Sequence, residues 1–175
     1  MRLLASLFRK SAPDVHQSQA WWQRADRIAA QPTVEAIDEL RASVDSAGVD
    51  LDEAECQSEM IDGLLRLLDL HARAALPRLD SQHRVIGVDA CHFAAPAGLA
   101  GDHETPGKLF LTSRRLVFAG GPVSAWPWHR ILDVARIERD VVVTIRDASL
   151  IRVRFNSYGD ALEACFMAQL LIPNS

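Results

Sequence analysis

The apolar pattern of this chain changes period once, at Pro77, and that change limits the folds open to it. Before Pro77, apolar residues recur at three- and four-residue steps. After it they alternate. Helix-forming and strand-forming stretches are thus segregated, which reads as α+β. The organisation expected is a flexible or amphipathic lead over residues 1–15, a helical region over 16–77, and a sheet unit over 82–172. With 175 residues and 49% hydrophobic content, the chain can bury a core without metal or disulfide staples.

Three helices are legible before Pro77. His16–Gln31 carries Trp21, Ala25 and Ile28 on one face. Gln31-Pro32-Thr33 marks a break and a restart. Val34, Ile37, Leu40 and Val44 form the next stripe, which Ala47-Gly48 closes. Asp50 and Glu53 have capping-box spacing ahead of a third helix, expected over Leu51–Leu76. Its apolar residues Met60, Ile61, Leu64, Leu65, Leu67, Leu68 and Leu70 make a stripe wide enough for more than one neighbour.

Beyond Pro77 the expectation is six or seven antiparallel strands and a closing helix. Val85–Val88 is a short strand candidate, and Ala94–Pro106 reads as loop. Leu109–Leu111 and Leu116–Phe118 form a hairpin across Thr112–Arg115, pairing Leu111 with Leu116 and Leu109 with Phe118. Ile131–Ile137 is a strand that turns at Glu138-Arg139-Asp140, with Ala135 and Ile137 facing inward. A loop at Asp147-Ala148-Ser149 pairs Ile145 with Ile151, Val143 with Val153, and Val141 with Phe155. A one-residue slip would bring arginines onto the apolar face, so the phase is well specified. Ser157 and Asp160 have capping-box form ahead of the last helix, whose single stripe is Leu162, Cys165, Phe166 and Leu170.

Gly107-Lys108-Leu109-Phe110-Leu111-Thr112-Ser113-Arg114-Arg115-Leu116-Val117-Phe118 resembles the G-x-L-x-x-T-x-x-R-L-x-F hairpin of GRAM and bacterial pleckstrin-homology-like (PH-like) domains. Trp126–Ile131, leading into Ile131-Leu132-Asp133-Val134, is similar to the strand that follows it there. The resemblance covers residues 82–172. It implies a small antiparallel barrel or sandwich capped by a C-terminal helix, and a non-enzymatic module that binds lipid headgroups or protein segments without a cofactor. The loop corresponding to the headgroup-binding loop of that family holds Asp102, His103 and Glu104 and no Lys or Arg. An anionic headgroup would be repelled there.

Three sets of residues are candidate contact surfaces. The strand phase places Arg136, Arg146, Arg152 and Arg154 on the outer face, where they could meet an acidic partner, an anionic lipid or the helical region of this chain. Residues 1–80 carry 9 basic and 14 acidic side chains against 10 and 9 in 81–175. Trp21-Trp22 and Trp126 with Trp128, the latter two on one strand face, are a candidate aromatic interface. Leu3, Leu4, Leu7, Phe8, Arg9 and Lys10 are a candidate membrane contact, weak by itself.

Enzymatic and metal chemistry find no support in the motifs. His71, His83, His92, His103 and His129 with Cys91 lack zinc-ligand spacing. There is no G-x-S-x-G elbow, and Gly120-Gly121 reads as a turn, not a phosphate loop. The net charge of −4 argues against a nucleic-acid coat. Three scattered cysteines, Cys56, Cys91 and Cys165, fit a reducing cytosol. The apolar stretch of the N-terminus is too short and too broken for a signal peptide. The expected function is that of a cytoplasmic protein-interaction adaptor, or else a module peripheral to an anionic membrane, with an unidentified protein partner and no nucleic acid; the remaining alternative is an enzyme with no recognisable motif.

Overall fold

The computed structural model describes residues 15–46, 50–81, 83–101, 103–146 and 150–173. The expected helix stop at Ala47-Gly48, the loop Asp147–Ser149 and the segment Leu3–Lys10 lie outside the described residues. Helices α1 (Val15–Ala30), α2 (Val34–Ser46) and α3 (Leu51–Ala72) precede strands β1 (Cys91–Leu99), β2 (Thr105–Thr112), β3 (Arg115–Ala119), β4 (Val123–Pro127), β5 (Ile131–Ile137), β6 (Asp140–Ile145) and β7 (Ile151–Phe155). Helix α4 (Tyr158–Leu171) follows. The seven strands form one antiparallel sheet in the order β4-β3-β2-β1-β7-β6-β5.

β4 and β5 are consecutive in the chain yet lie at opposite edges of the sheet, joined by a 3-10 turn at Trp128–Arg130. The sheet therefore folds over without closing into a barrel. Its inner face and α4 enclose the main core, which includes Leu109, Leu111, Leu116, Phe118, Val143, Val153 and Phe155. This is the α+β sandwich of PH-like type that the hairpin motif implies. A second core, with Trp21, Ile37, Leu40, Met60 and Leu64, joins α1, α2 and α3.

Helix α4 lies between the two cores. Its expected single stripe is two faces. Ala161, Ala164, Cys165 and Ala168 meet the sheet, while Leu162 belongs to the helical core. Leu170 is exposed. The small residues escape a stripe count because alanine packs wherever backbones come close. At the crossing of α3 and α4, a methyl group on Gly63 would lie 2.8 Å from the Gly159 Cα. Only glycine permits that approach. Helix α4 begins where Ser157 Oγ accepts from the Asp160 amide at 3.0 Å, and α3 where Asp50 accepts from the Glu53 amide at 2.9 Å.

The T-x-x-R hairpin has a physical reason. Thr112 Oγ1 donates to the Arg115 carbonyl (2.8 Å) and accepts from the Arg115 amide (3.1 Å), so Thr112 and Arg115 belong to the strands and the turn is only Ser113-Arg114. Arg115 Nε donates to Asp89 at 3.0 Å, and the Trp128 indole donates to the Thr112 carbonyl at 2.7 Å. The pairs Leu111–Leu116 and Leu109–Phe118 are present as expected.

Several boundaries differ from expectation. Helix α3 stops at Ala72, four residues short of Leu76. Val85–Val88 is a turn that packs Ile86 on a small third core with Phe110 and Val117. Ala94–Pro106 is largely strand: β1 buries Phe93, Ala95 and Ala97, and only Ala100–Glu104 connects it to β2. Alanine, glycine and proline disguised that strand. β6 pairs with β7 two residues away from the expected register, with Val143 opposite Ile151 and Val141 opposite Val153. An even slip keeps the same face inward, so Val143 and Val153 are both fully buried. A bulge between Ile131 and Asp133 shifts the phase of β5, burying Ile131 and Val134 and leaving Ala135 and Ile137 exposed.

Candidate functional site

The four arginines read as one basic face do not form one. Arg152 and Arg154 do point outward from β7, but both converge on Asp140, which is 3% exposed. Arg154 Nε donates to Asp140 Oδ1 at 2.9 Å, and Arg152 donates to Oδ2. Arg154 also faces Glu104 at 3.8 Å. Two cations meet two carboxylates, so this face has no net charge to offer an anion. Burial by itself would raise the Asp140 carboxyl, but hydrogen bonds from Arg154 and Arg152 and their charges outweigh it and hold it below the ordinary carboxylate range.

Arg136 is on the other side of the sheet. The β5 bulge puts it in phase with Val134, where its side chain is 11% exposed, pairs with Asp26 of α1 and donates to the Glu138 carbonyl at 2.6 Å. Arg146 lies beyond the end of β6, exposed. The helical region thus docks through Arg136, not through Arg152 and Arg154. Arg139 strengthens that docking with a 2.6 Å bond to Glu59 of α3, whose other oxygen accepts from the Tyr158 amide at 3.1 Å.

The tryptophans also divide. Trp128 is buried in the 3-10 turn and Trp126 is half-buried in β4, both against the sheet core. They share no strand face because the strand ends at Pro127. Trp21 is buried in the helical core, and the two pairs do not meet. Trp22 does reach the junction: its ring stacks on Tyr158 at 4.9 Å and 27°.

Trp22 and Tyr158 wall a cleft of about 640 Å³ between α1, the first turns of α3 and the β5–β6 turn. Its rim carries the carboxylates of Asp26, Asp50, Asp52, Glu53 and Glu138 with one cation, Arg136, already bound to Asp26. Arg139 sits over the Tyr158 ring at 4.7 Å. Glu138 holds its place with a φ of 56°, uncommon for a residue with a side chain. Burial pushes the Tyr158 hydroxyl up, with Cys56 adding to the rise and Arg139 opposing it. An acidic rim over a stacked aromatic pair suits a cationic segment with apolar side chains.

Sequence reasoning found Trp22 and Arg136 but missed this grouping. The capping residues Asp50 and Glu53 were visible as a helix start, and nothing local says that Tyr158 and Glu138 close over them. A second cleft, of about 590 Å³, runs between α3, α4 and β1. Its charged groups are already paired with one another: Arg66 with Glu163 at 3.0 Å and Asp160 at 3.7 Å, and Arg73 with Asp69. Among the described residues, no group of three or more His, Cys, Asp or Glu could hold a metal ion, and no helix is long and apolar enough to cross a membrane.

No family model matches the chain, and no curated protein matches it. Among solved structures it is similar to the C-terminal domain of an unknown protein from Leishmania infantum, at 12% identity and a TM-score of 0.45, covering 51% of this chain and 91% of that one. It is also similar to the DH/PH domain of human ARHGEF11 in a ternary complex with human RhoA and its inhibitor, at 11% identity and a TM-score of 0.44, covering 92% of this chain. The DH/PH domains of p115-RhoGEF (R399E mutant) give 12% identity, a TM-score of 0.44 and 90% coverage. The chain spans 55% of each of those two exchange-factor chains.

Proposed function

We propose that this chain is a non-enzymatic, cytoplasmic protein-interaction adaptor that holds a cationic, partly apolar segment of a partner in the cleft walled by Trp22 and Tyr158. The supporting observation is that the helical layer and the sheet build this cleft together, with an acidic rim over stacked aromatic rings. The polar groups around it are engaged in holding the fold: Ser18 Oγ donates to Glu53, Arg136 to Asp26, and Glu59 accepts from the Tyr158 amide. That favours binding over bond chemistry. Three free thiols, two of them buried, fit a reducing compartment.

The test is fluorescence anisotropy with a labelled peptide of alternating lysine and leucine. Binding should weaken with salt and drop about tenfold in Asp52→Lys combined with Glu138→Lys. Trp22→Ala should weaken it without altering the salt slope. No binding, or equal binding by the charge-reversed variant, rejects the reading. Pelleting with anionic vesicles that requires residues 1–10 would make the chain a peripheral membrane module instead.

A further inference from the structure

A second charged surface lies at another corner of the sheet. The Trp128 amide donates to the Arg114 carbonyl at 3.2 Å, and the Arg146 amide to the Arg130 carbonyl at 2.8 Å. These two bonds bring the β2–β3 turn, the 3-10 turn and the end of β6 into one patch. Arg114, His129, Arg130 and Arg146 are all exposed there. Arg130 reaches only the Arg146 carbonyl, at 3.5 Å, and neither it, His129 nor Arg146 has a carboxylate partner among the described residues. Arg114 is loosely paired with Asp89 at 3.6 Å, and its side chain is 76% exposed. Leu132, two residues on from Arg130, is 52% exposed.

We infer that this corner is a docking surface for an acidic segment of a partner protein, independent of the aromatic cleft. Arg130 and Arg146, without carboxylate partners among the described residues, and the largely exposed Arg114, which Asp89 holds by one edge, match carboxylates, and their planar donors favour paired contacts. The contrast with Arg152 and Arg154 is informative: those two are neutralised by Asp140 and Glu104, whereas the corner keeps its charge. A narrow acidic segment fits the corner better than a membrane plane does. The chain as a whole carries −4, and a plane would also meet the negatively charged parts, whereas beyond about 8 Å a segment on the corner is screened from them. Leu132 gives an apolar residue of the segment a place to rest.

The experiment is an anisotropy titration of the full chain with a fluorescein-labelled peptide of alternating glutamate and leucine, at low and physiological salt. The peptide should bind, more weakly as salt rises. Arg130→Glu combined with Arg146→Glu should lose about tenfold or more. Arg41→Glu combined with Arg78→Glu, of identical net charge, should stay within about twofold. Arg114→Gln, on a side chain that supports no packing, gives a milder loss and guards against misfolding of the double variant. Failure of the native chain to bind the peptide overturns the inference, as does equal loss in both double variants. Pelleting with phosphatidylserine vesicles in the absence of peptide binding overturns it in favour of a membrane. Salt-sensitive self-association abolished by the Arg130 and Arg146 changes overturns it in favour of a second copy.

Discussion

Asp140 and Glu163 are carboxylates whose folded environments pull in opposite directions, and the difference is measurable. The Asp140 carboxyl is held low by its two arginines. Its contribution to stability is complete above the ordinary carboxylate pKa of about 3.9 and is lost as pH falls through the lower folded value. Asp140→Asn should cost about 2 kcal/mol at neutral pH and flatten the acid limb of a denaturation series. Burial pushes Glu163 up, and Arg66 only partly opposes that. Its stability contribution therefore shrinks as pH climbs from about 4.3 toward the raised folded value. Glu163→Gln should remove that slope, with little loss at neutral pH; a loss as large as that of Asp140→Asn would show that the Arg66 pair dominates. The thiols give a third check. Burial pushes Cys165 up to about 11 and raises Cys91 as well, while Cys56 is only half-buried. A thiol reagent should label Cys56 in the native chain and reach the other two only after denaturation; native labelling of Cys165 would contradict its packing against the sheet.

Among the elements, the crossing of α3 and α4 is the contact with least room for change. Gly63→Ala should cost about 1–3 kcal/mol, because the new methyl meets the Gly159 backbone as well as the buried Leu162 side chain, and the backbone cannot swing aside. A melting temperature equal to that of the native chain would show that the helices can separate at no cost. The helices were legible in sequence because their stripes are long and their caps are local: Asp50 with Glu53, Ser157 with Asp160. The Leu109–Phe118 hairpin was legible because Thr112 fixes its own turn. What escaped was decided at a distance. β1 is built from small residues that become strand only between β2 and β7. The β5 bulge leaves no mark in the alternation, yet it sends Arg136 to the opposite side of the sheet from Arg152. The β6–β7 pairing was misplaced by two residues without consequence for the buried face, since period-two patterns specify phase more strongly than register.

At the scale of the whole molecule, α4 contributes to both cores, with Leu162 on one side and Ala161, Ala164 and Cys165 on the other. Unfolding should therefore be a single cooperative transition by calorimetry; two separated transitions would mean that the helical layer and the sheet are independent. The candidate cleft was only partly readable for the same reason. Trp22 and Arg136 stood out by type, but their neighbours Tyr158 and Glu138 come from segments more than a hundred residues away from α1. One small contact has a larger meaning at this scale. The Gln169 side-chain amide donates to the Val134 carbonyl of β5 at 2.9 Å. An open sheet has two margins on which a foreign extended chain could crystallise and keep adding copies. At one margin this protein supplies a stopper from its own final helix; at the other, Pro122 precedes a ribbon of five residues and Pro127 ends it. Runaway accretion of copies is discouraged at both.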